Sequence, residues 1–332
     1  MTRLLVTGGA GFIGTNFVRF ASGRGYSIVV IDNFAKDGSR SNAQLLRTVP
    51  SVEVIAHDVT QPLSRDFRVD GIVHLAANVD AARAMEDPRA DFMVNALGTL
   101  NVLEYARQHG NVPVVYASTC KVYSTLINTL HLIEREERFE YQNAIGIDET
   151  FPTDAQCRYG HAPYGCSKYT GDLYAQEYHT LFGLPVVINR MSTIYGPYQH
   201  GAKGYGWVWW FTRAFKQGLP VTIFGDGKQV RDVLHVDDLC RLFLTELENP
   251  DIHVGQIYNV GGGSENTLSL LELMRLLRRL NGGGPAPPVT FESPRPADFR
   301  VYVSDITKVK TSADWKPEVS VEEGVTRLWN EF

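Results

Sequence analysis

Short apolar runs alternate with longer amphipathic stretches through the first 190 residues of the chain. Six of these runs have the length and composition of buried β-strands, and they cover residues 3–7, 26–31, 52–59, 71–77, 112–117 and 184–190. Helix-like segments follow the strands, as residues 91–109 illustrate. This repeated order predicts a parallel, doubly wound α/β sheet of the Rossmann type, in which ligands bind beyond the carboxyl ends of the strands.

A glycine-rich turn joins the first strand to the first helical stretch, which runs to about Ser22. Gly8 permits a tight turn, Gly11 lets the backbone approach a pyrophosphate, and Gly14 lets the helix pack closely on the sheet. The second strand ends on Asp32, whose carboxylate would hold both ribose hydroxyls of an adenosine and repel a 2′-phosphate. The turn and the acid together predict a site for NAD rather than NADP.

Polar or small residues follow three further strands at the same edge of the predicted sheet. Asp58 comes at the end of the third strand, and Leu75–Ala77 after the fourth leave room for a ligand. The next strand delivers Ser118–Lys121 to this edge. We therefore expect residues 118–121 to face the reaction.

Tyr164 and Lys168 stand four residues apart, a spacing that places them on one face of a helix. Pro163 is a typical residue at the first position of a helix. An ammonium close to a phenol stabilises the phenolate, so we expect Lys168 to lower the pKa of Tyr164 from about 10 toward neutrality. Tyr164 would then act as a general base or acid.

The second half of the chain predicts a smaller C-terminal α/β substrate lobe. We assign residues 1–188 and 233–262 to the dinucleotide domain, and residues 189–232 and 263–332 to this lobe. The polar insert at 124–163 carries a charged run at 134–138, which is either a solvated surface segment or a lid over substrate. The tryptophans of residues 204–210 fit a core or a ligand platform equally well. Ser269 and Glu272 form a capping-box pattern, which is a structural signal.

Composition narrows the class of protein. The chain of 332 residues has 32 Lys and Arg against 37 Asp and Glu, which disfavours binding to nucleic acid or a membrane surface by bulk charge. The four cysteines, Cys120, Cys157, Cys166 and Cys240, lack a C-x-x-C spacing, and their scarcity predicts free thiols and a cytosolic protein. No apolar run approaches the ~20 residues of a membrane span. The sequence indicates no metal ligands.

These motifs together resemble those of the extended short-chain dehydrogenase/reductases, over nearly the whole chain. The resemblance rests on residues 7–14, Asp32, Asp58, residues 75–77, Thr119, Tyr164 and Lys168. Residues 189–197, residues 225–232 and Arg295 are similar to the sugar-nucleotide epimerase and dehydratase branch of that superfamily.

The resemblance implies a function for each matching position. It makes Thr119, Tyr164 and Lys168 the catalytic residues. The implied NAD contacts are Gly8, Gly11, Phe12, Ile13, Gly14, Asp32, Asn33, Asp58, Val59, Leu75, Ala76, Ala77, Asn95, Tyr164, Lys168 and Met191. The implied contacts to the diphosphate and base of a nucleotide-diphosphate sugar are Thr193, Trp207, Val208, Arg231 and Arg295.

The two residues after Thr119 narrow the chemistry. Dehydratases of this branch carry an Asp-Glu pair there, which protonates the departing hydroxyl and removes a carbon-bound proton, whereas this chain has Cys120 and Lys121. In this segment and at residues 164–168 and 227–235 the sequence resembles CDP-paratose (CDP-tyvelose) 2-epimerases. Cys120 stands where those enzymes carry asparagine, and it is either a small buried thiol or an acid, base or nucleophile. Lys121 either reaches the substrate or forms an ion pair with a carboxylate of the insert, and on a strand it would point away from Cys120.

The leading hypothesis is an NAD-dependent nucleotide-sugar 2-epimerase that works by transient hydride transfer to tightly bound NAD. The alternatives are another NAD-dependent conversion, such as a 4-epimerase, a decarboxylase or an atypical dehydratase using Cys120 and Lys121, or a catalytically silent NAD-binding scaffold. The resemblance also implies a homodimer. Apolar residues on several faces of the helices at 91–109 and 164–182 favour packing against a partner as well as the sheet.

Overall fold

The computed structural model describes residues 2–154, 158–202 and 205–332. Within these ranges the strands are β1 (Arg3–Thr7), β2 (Ser27–Asp32), β3 (Val52–Ala56), β4 (Gly71–His74), β5 (Val114–Thr119), β6 (Leu132–Glu134), β7 (Phe139–Tyr141), β8 (Val186–Met191), β9 (Thr193–Tyr195), β10 (Val221–Phe224), β11 (Val230–His235), β12 (Ile257–Val260), β13 (Thr267–Ser269), β14 (Val289–Glu292) and β15 (Val301–Tyr302).

The α-helices of the same ranges are α1 (Phe12–Ser22), α2 (Ser39–Leu46), α3 (Ala81–Glu86), α4 (Pro88–Phe92), α5 (Gly98–Gln108), α6 (Ala162–Phe182), α7 (Trp207–Gln217), α8 (Val236–Glu248), α9 (Pro250–His253), α10 (Leu270–Leu280), α11 (Thr307–Ala313) and α12 (Val321–Trp329). A π-helical turn, Met93–Leu97, joins α4 to α5. Two 3₁₀ turns, Cys120–Val122 and Thr125–Thr129, follow β5.

The central sheet is parallel and has the order β12-β8-β5-β4-β1-β2-β3. The chain lays β2 and β3 on one side of β1 and then crosses to place β4 on the other side. The direction of winding therefore reverses between β1 and β4, and a doubly wound sheet binds its ligand at such a point. The prediction of a doubly wound α/β fold is confirmed, and so are its six strands, although β3 and β4 end earlier than expected.

Alternating apolar residues build a core on each face of the sheet. Leu4 and Val6 of β1 pack in a cluster with residues of α1 and α8. Leu5 points the other way, into a cluster with residues of α5 and α6. Because both faces are covered, the strands are almost continuously apolar, which is why the sequence showed them as runs.

A second core lies among the later helices and strands. Residues of α7, α10 and α12 surround the buried strands β10 and β11, and Trp209 of α7 packs among them. The core interpretation is therefore correct for Trp209, while Gly204 of the same segment lies outside the described residues. The Ser269–Glu272 capping box begins α10 as predicted. The predicted boundaries at 188/189 and 232/233 fall inside β8 and β11, and the division into domains stays a prediction.

The charged run of the insert, residues 134–138, links the two strands of the antiparallel hairpin β6–β7, and residues 134–136 are exposed, as expected of a solvated surface segment. The hairpin itself is anchored, because Phe139 is only 4% exposed and packs against the strand residues Val230 and Val301. Arg138 pairs with Glu272 of α10 at 3.1 Å. The hairpin is fixed to the second core by both apolar packing and charge. Residues 155–157 of the insert lie outside the described residues.

Two further predictions concern the surface and the thiols. In the parts of the chain that the structure describes, no helix is long and apolar enough to cross a membrane. Cys120, Cys166 and Cys240 are free cysteines as predicted, and Cys157 lies outside the described residues.

Glu246 of α8 carries a buried carboxyl group beneath the central sheet. It is 2% exposed and accepts a hydrogen bond of 2.8 Å from the side-chain amide of Asn189. Burial raises its pKa from an ordinary value of 4.5 to about 8. The folded protein therefore binds a proton between these pH values that the unfolded chain releases, so the free energy of unfolding falls as pH rises through this window.

We predict that Glu246→Gln removes this pH dependence, because glutamine keeps the acceptor for Asn189 but does not ionise. Between pH 5 and pH 8 the wild type should lose on the order of a few kcal/mol of unfolding free energy relative to the variant. Urea unfolding at both pH values measures the difference. Glu322→Gln, at an exposed position, is the control and should leave the dependence unchanged. Parallel pH profiles of the wild type and Glu246→Gln would contradict the prediction.

Candidate active site

The glycine turn closes tightly on the point where the sheet reverses its winding. Gly8 has φ +64°, and a Cβ atom there would lie 2.7 Å from the backbone of Ala76 after β4. A Cβ atom on Gly14 would lie 2.5 Å from the carbonyl oxygen of Gly8, so α1 packs directly on the turn. Gly11 caps α1 without a side-chain hydrogen bond. The first amides of α1 are therefore available to an anion such as a pyrophosphate.

Two acids stand beside this turn at the ends of β2 and β3. Asp32 accepts hydrogen bonds from the backbone amides of Ala10 at 3.1 Å and Phe34 at 2.8 Å, and burial raises the pKa of its carboxyl group. Asp58 accepts a bond of 2.9 Å from the side chain of Asn33. The acids thus flank the turn where the adenosine end of a dinucleotide would lie, which is the arrangement that the sequence predicted.

A buried hydrogen-bonded chain that sequence reasoning missed holds the loop after β4. Thr7 accepts from the backbone amides of Leu75 and Ala76, both at 3.2 Å. Its hydroxyl also bonds Nδ1 of His74 at 2.6 Å, and Nε2 of His74 bonds Thr99 at 3.0 Å. Burial lowers the pKa of His74 to about 3, so the ring stays neutral and serves as a fixed bridge. The available signal was the threonine directly before Gly8.

Asn95 and Val59 are not placed to present side chains to NAD. Asn95 is 0% exposed, and its amide bonds the backbone of Asn78, Asp91 and the hydroxyl of Ser167. It supports the loop after β4 and ties it to α6 instead. The side chain of Val59 packs in the core behind the sheet. Their side chains therefore support the surrounding structure, and the two implied contacts with NAD stay predictions.

The structure brings Thr119 and Tyr164 together. Thr119 ends β5, and Tyr164 lies in the first turn of α6, where the two side chains share a hydrogen bond. Lys168 lies one turn later and donates a bond of 2.6 Å to the carbonyl oxygen of Ala117 on β5. Met191 ends β8 and aligns with Thr119 in the parallel register, so it lies at the same edge.

The expected fall in the pKa of Tyr164 is wrong for this structure. Burial raises that pKa above its ordinary value, and the hydrogen bond from Thr119 offsets only part of the increase. Burial lowers the pKa of Lys168 to about 8. In the chain by itself, burial thus disfavours both the phenolate of Tyr164 and the ammonium of Lys168.

A buried ion pair locks α6 against the sheet. Arg190 of β8 donates two hydrogen bonds, of 3.1 and 3.0 Å, to the carboxylate of Asp172 on α6. Ser118 of β5 donates to the same carboxylate at 2.6 Å. Asp172 lies one helical turn beyond Lys168, so the pair fixes the catalytic face of α6 relative to the ends of β5 and β8.

Cys120 and Lys121 do not continue β5 as a strand. Together with Val122 they form a 3₁₀ turn capped by Thr119, so the expected strand alternation does not apply. Cys120 is 8% exposed, and burial raises the pKa of its thiol to about 11, which fits the small buried thiol. Lys121 forms an ion pair of 2.9 Å with Asp298, which lies outside the insert, so the expectation of an insert carboxylate is wrong.

The residues implied for substrate binding lie on several elements. Arg231 of β11 donates to Asp298 at 2.8 Å and therefore shares that carboxylate with Lys121. Arg295 lies upstream of Asp298, with its guanidinium 4.0 Å from the ring centre of Phe224. Thr193 lies on β9, directly after β8.

Two more of these positions begin α7. Trp207 is partly buried in its first turn. The side chain of Val208 is only 1% exposed and belongs to the second core, so only its backbone amide can face a ligand.

The fold and the site together define a dinucleotide-binding protein of the doubly wound α/β class. The model of the NAD dependent epimerase/dehydratase family matches residues 4–261. The chain belongs to this family, so NAD is its cofactor and the prediction of NAD is confirmed. The glycine turn, the uncapped α1 and the two acids fit a bound NAD.

The chain is similar both to epimerases and to dehydratases of this family. CDP-paratose 2-epimerase of Salmonella typhi is 37% identical over 99% of this chain and 98% of its own. The dTDP-glucose 4,6-dehydratase DesIV of Streptomyces venezuelae, solved with NAD bound, is 31% identical with a TM-score of 0.83, over 99% of this chain and 96% of its own. UDP-glucuronic acid 4-epimerase of Bacillus cereus, solved with UDP-glucuronic acid and NAD, is 26% identical with a TM-score of 0.81, over 99% and 98%.

We predict that Asp32→Ala weakens NAD binding by about 10-fold or more, because a charge-assisted hydrogen bond contributes roughly 1.5–3 kcal/mol. The preference for NAD over NADP should narrow as well, since the repelling carboxylate is gone. Calorimetric titration with each dinucleotide measures both effects. Asp66→Ala removes an exposed acid away from the turn and serves as the control. Unchanged affinity and preference in Asp32→Ala would contradict the assignment.

Proposed function

We propose that the protein is an NAD-dependent 2-epimerase of a nucleotide-diphosphate sugar, with a CDP-linked sugar as the first substrate to test. The observation that carries this proposal is the turn after Thr119. A buried, protonated thiol at Cys120 and a cation at Lys121 occupy the two positions that a dehydratase needs for its acid and base. The similarity to CDP-paratose 2-epimerase over nearly the whole chain supports the same reaction.

The proposed mechanism assigns a task to each residue at the end of β5 and on α6. Tyr164 must be ionised to accept the proton of a sugar hydroxyl, and the positive charges of Lys168 and of bound NAD would oppose the effect of burial on its pKa. It then returns the proton as a general acid. Thr119 bonds the phenol and orients it. Lys168 supplies a positive charge one turn away, which favours the phenolate during proton transfer. Bound NAD would supply the hydride acceptor and donor that a transient oxidation and reduction of the sugar carbon requires.

The substrate diphosphate is assigned to the cationic side of the site. Arg231 and Arg295 are the guanidinium groups proposed for it, because a guanidinium binds phosphate oxygens with two parallel hydrogen bonds. The backbone amides of Trp207 and Val208 lie in the first turn of α7, where an amide has no carbonyl partner within the helix. They are proposed as further hydrogen-bond donors to the diphosphate. Thr193, next to the end of β8, is proposed to face the sugar.

We predict that turnover of CDP-linked sugar in deuterated water gives a C2-epimerised product without deuterium on carbon. An internal hydride return exchanges nothing with solvent, whereas removal of a proton from carbon introduces deuterium. Mass spectrometry and proton NMR of the product measure this. Tyr164→Phe is the matched control; it should bind NAD normally and lose about 100-fold or more in kcat.

Other products of the same experiment would replace the proposal. Deuterium on a carbon next to the oxidised centre indicates a dehydratase-like reaction. A C4-epimerised or decarboxylated sugar indicates one of the other conversions in the family. Binding of NAD without its reduction by any sugar nucleotide indicates a scaffold.

We also propose a homodimer formed through α6 and the neighbouring helical run of α4 and α5. These helices pack against each other and leave large apolar side chains exposed on their outer surfaces. The exposed side chains are Phe92, Met93, Leu173, Tyr174, Leu181 and Phe182. A partner copy that buries these side chains would remove them from water, which is a favourable contribution to association.

We predict that the wild type sediments at twice the chain mass at micromolar concentration, and that Leu173→Glu shifts it to the monomer. A carboxylate at this position would have to be desolvated in the interface. Analytical ultracentrifugation measures both proteins. Phe291→Glu introduces the same charge at an exposed apolar position of β14 and should stay dimeric. A wild type that is monomeric under these conditions would refute the dimer.

A further inference from the structure

Asp298 joins Arg231, which the resemblance assigned to the substrate, with Lys121, for which substrate contact was one of two expectations. Its Oδ1 accepts hydrogen bonds from Nζ of Lys121 at 2.9 Å, from Nη2 of Arg231 at 2.8 Å and from the backbone amide of Phe299 at 2.9 Å. One carboxylate oxygen is thus shared by a residue of the turn after β5 and a residue of β11. The two cations strongly favour the charged form and lower the pKa of Asp298 well below its ordinary range, although burial opposes this.

The segment that carries Asp298, residues 295–300, is held from two other sides. Arg231 donates a second hydrogen bond, of 2.6 Å, to the carbonyl oxygen of Phe299. Asn128 of the insert donates to the carbonyl oxygen of Asp298 and accepts from the amide of Arg300, both at 2.9 Å. The position of the carboxylate is therefore fixed independently of Lys121.

Lys121 is fixed at both ends. Its backbone amide donates to the hydroxyl oxygen of Thr119 at 3.3 Å, which closes the 3₁₀ turn. Its ammonium reaches Asp298 and lies 3.9 Å from the ring centre of Phe299. One residue thus connects the hydroxyl that bonds Tyr164 with the segment that carries Arg295.

We propose that Asp298 is a positioning residue that, through Lys121, holds the Thr119 turn in register with the segment 295–300. This inference rests on the proposed function, because it assumes that Thr119 acts in proton transfer. Without substrate, the negative charge of Asp298 cancels one of the positive charges of Lys121 and Arg231. The three side chains together therefore present a net charge of +1 to a diphosphate. Asp298 acts on the reaction through these two side chains and is not itself assigned to proton transfer.

We predict that Asp298→Asn lowers kcat by about 10-fold while KM for the sugar nucleotide stays constant or falls. Asparagine keeps the size of the side chain but lacks the negative charge, so it holds the ammonium of Lys121 much more weakly and loosens the anchor of the turn. The same change frees positive charge for the diphosphate, which favours substrate binding. Steady-state kinetics measure the two parameters, and NAD affinity should not change. A constant kcat, or a raised KM, would overturn the proposal.

A second variant tests the same link from its other end. Lys121→Met should lower kcat/KM by about 10-fold or more without changing NAD affinity. If the two residues act as one unit, the double variant loses no more kcat than either single variant. Losses that multiply would show that Asp298 and Lys121 act separately, and would overturn the proposal.

The matched control is Glu134→Gln. It removes a lysine–carboxylate pair of 2.7 Å, to Lys228, that also joins the insert to the second core but lies on the hairpin β6–β7. It should leave kcat unchanged, and thermal unfolding of every variant should remain cooperative.

Reduction of bound NAD is recorded separately from the appearance of epimer. A wild type that reduces NAD with a sugar nucleotide but gives no C2 epimer refutes the proposed 2-epimerase. The single and double variants of Asp298 and Lys121 are then compared by their rates of NAD reduction. The two failures are therefore distinguishable.

Discussion

The buried ion pair between Arg190 and Asp172 is the interaction on which the geometry of the candidate active site depends. It joins β8 to α6, and Ser118 extends the link to β5. Both charges are removed from water, so loss of either partner would leave the other uncompensated, at a cost of about 3–5 kcal/mol. Because Lys168 lies one turn before Asp172, the pair sets where the catalytic face of α6 meets the sheet.

Burial, more than pairwise attraction, decides the electrostatics around this pair. It raises the pKa values of Tyr164 and Cys120 and lowers that of Lys168, in each case by disfavouring the charged form. Burial therefore disfavours a phenolate at Tyr164 and a thiolate at Cys120. Tyr164 can act as a base only where a nearby positive charge offsets this effect.

The insert and the second core form the other half of the arrangement. The hairpin β6–β7 packs on strands of the second core through Phe139, and Asn128 holds both sides of Asp298. The insert therefore contacts and supports the segment that carries Arg295 through hydrogen bonds. This explains how a polar stretch with few apolar residues keeps a defined position.

The sequence alone determined the sheet, the glycine turn and the ends of the strands, because these follow from local apolar runs and from the residues that a tight turn permits. Gly8, Asp32 and the Tyr164–Lys168 pair were all identified in this way. Only the tertiary structure decided which groups meet across distant segments. Asp298 lies 177 residues from Lys121, and Asn95 turns out to be fully buried. The direction of a pKa shift at Tyr164 likewise depends on how much water the folded chain excludes, which spacing along the sequence does not encode.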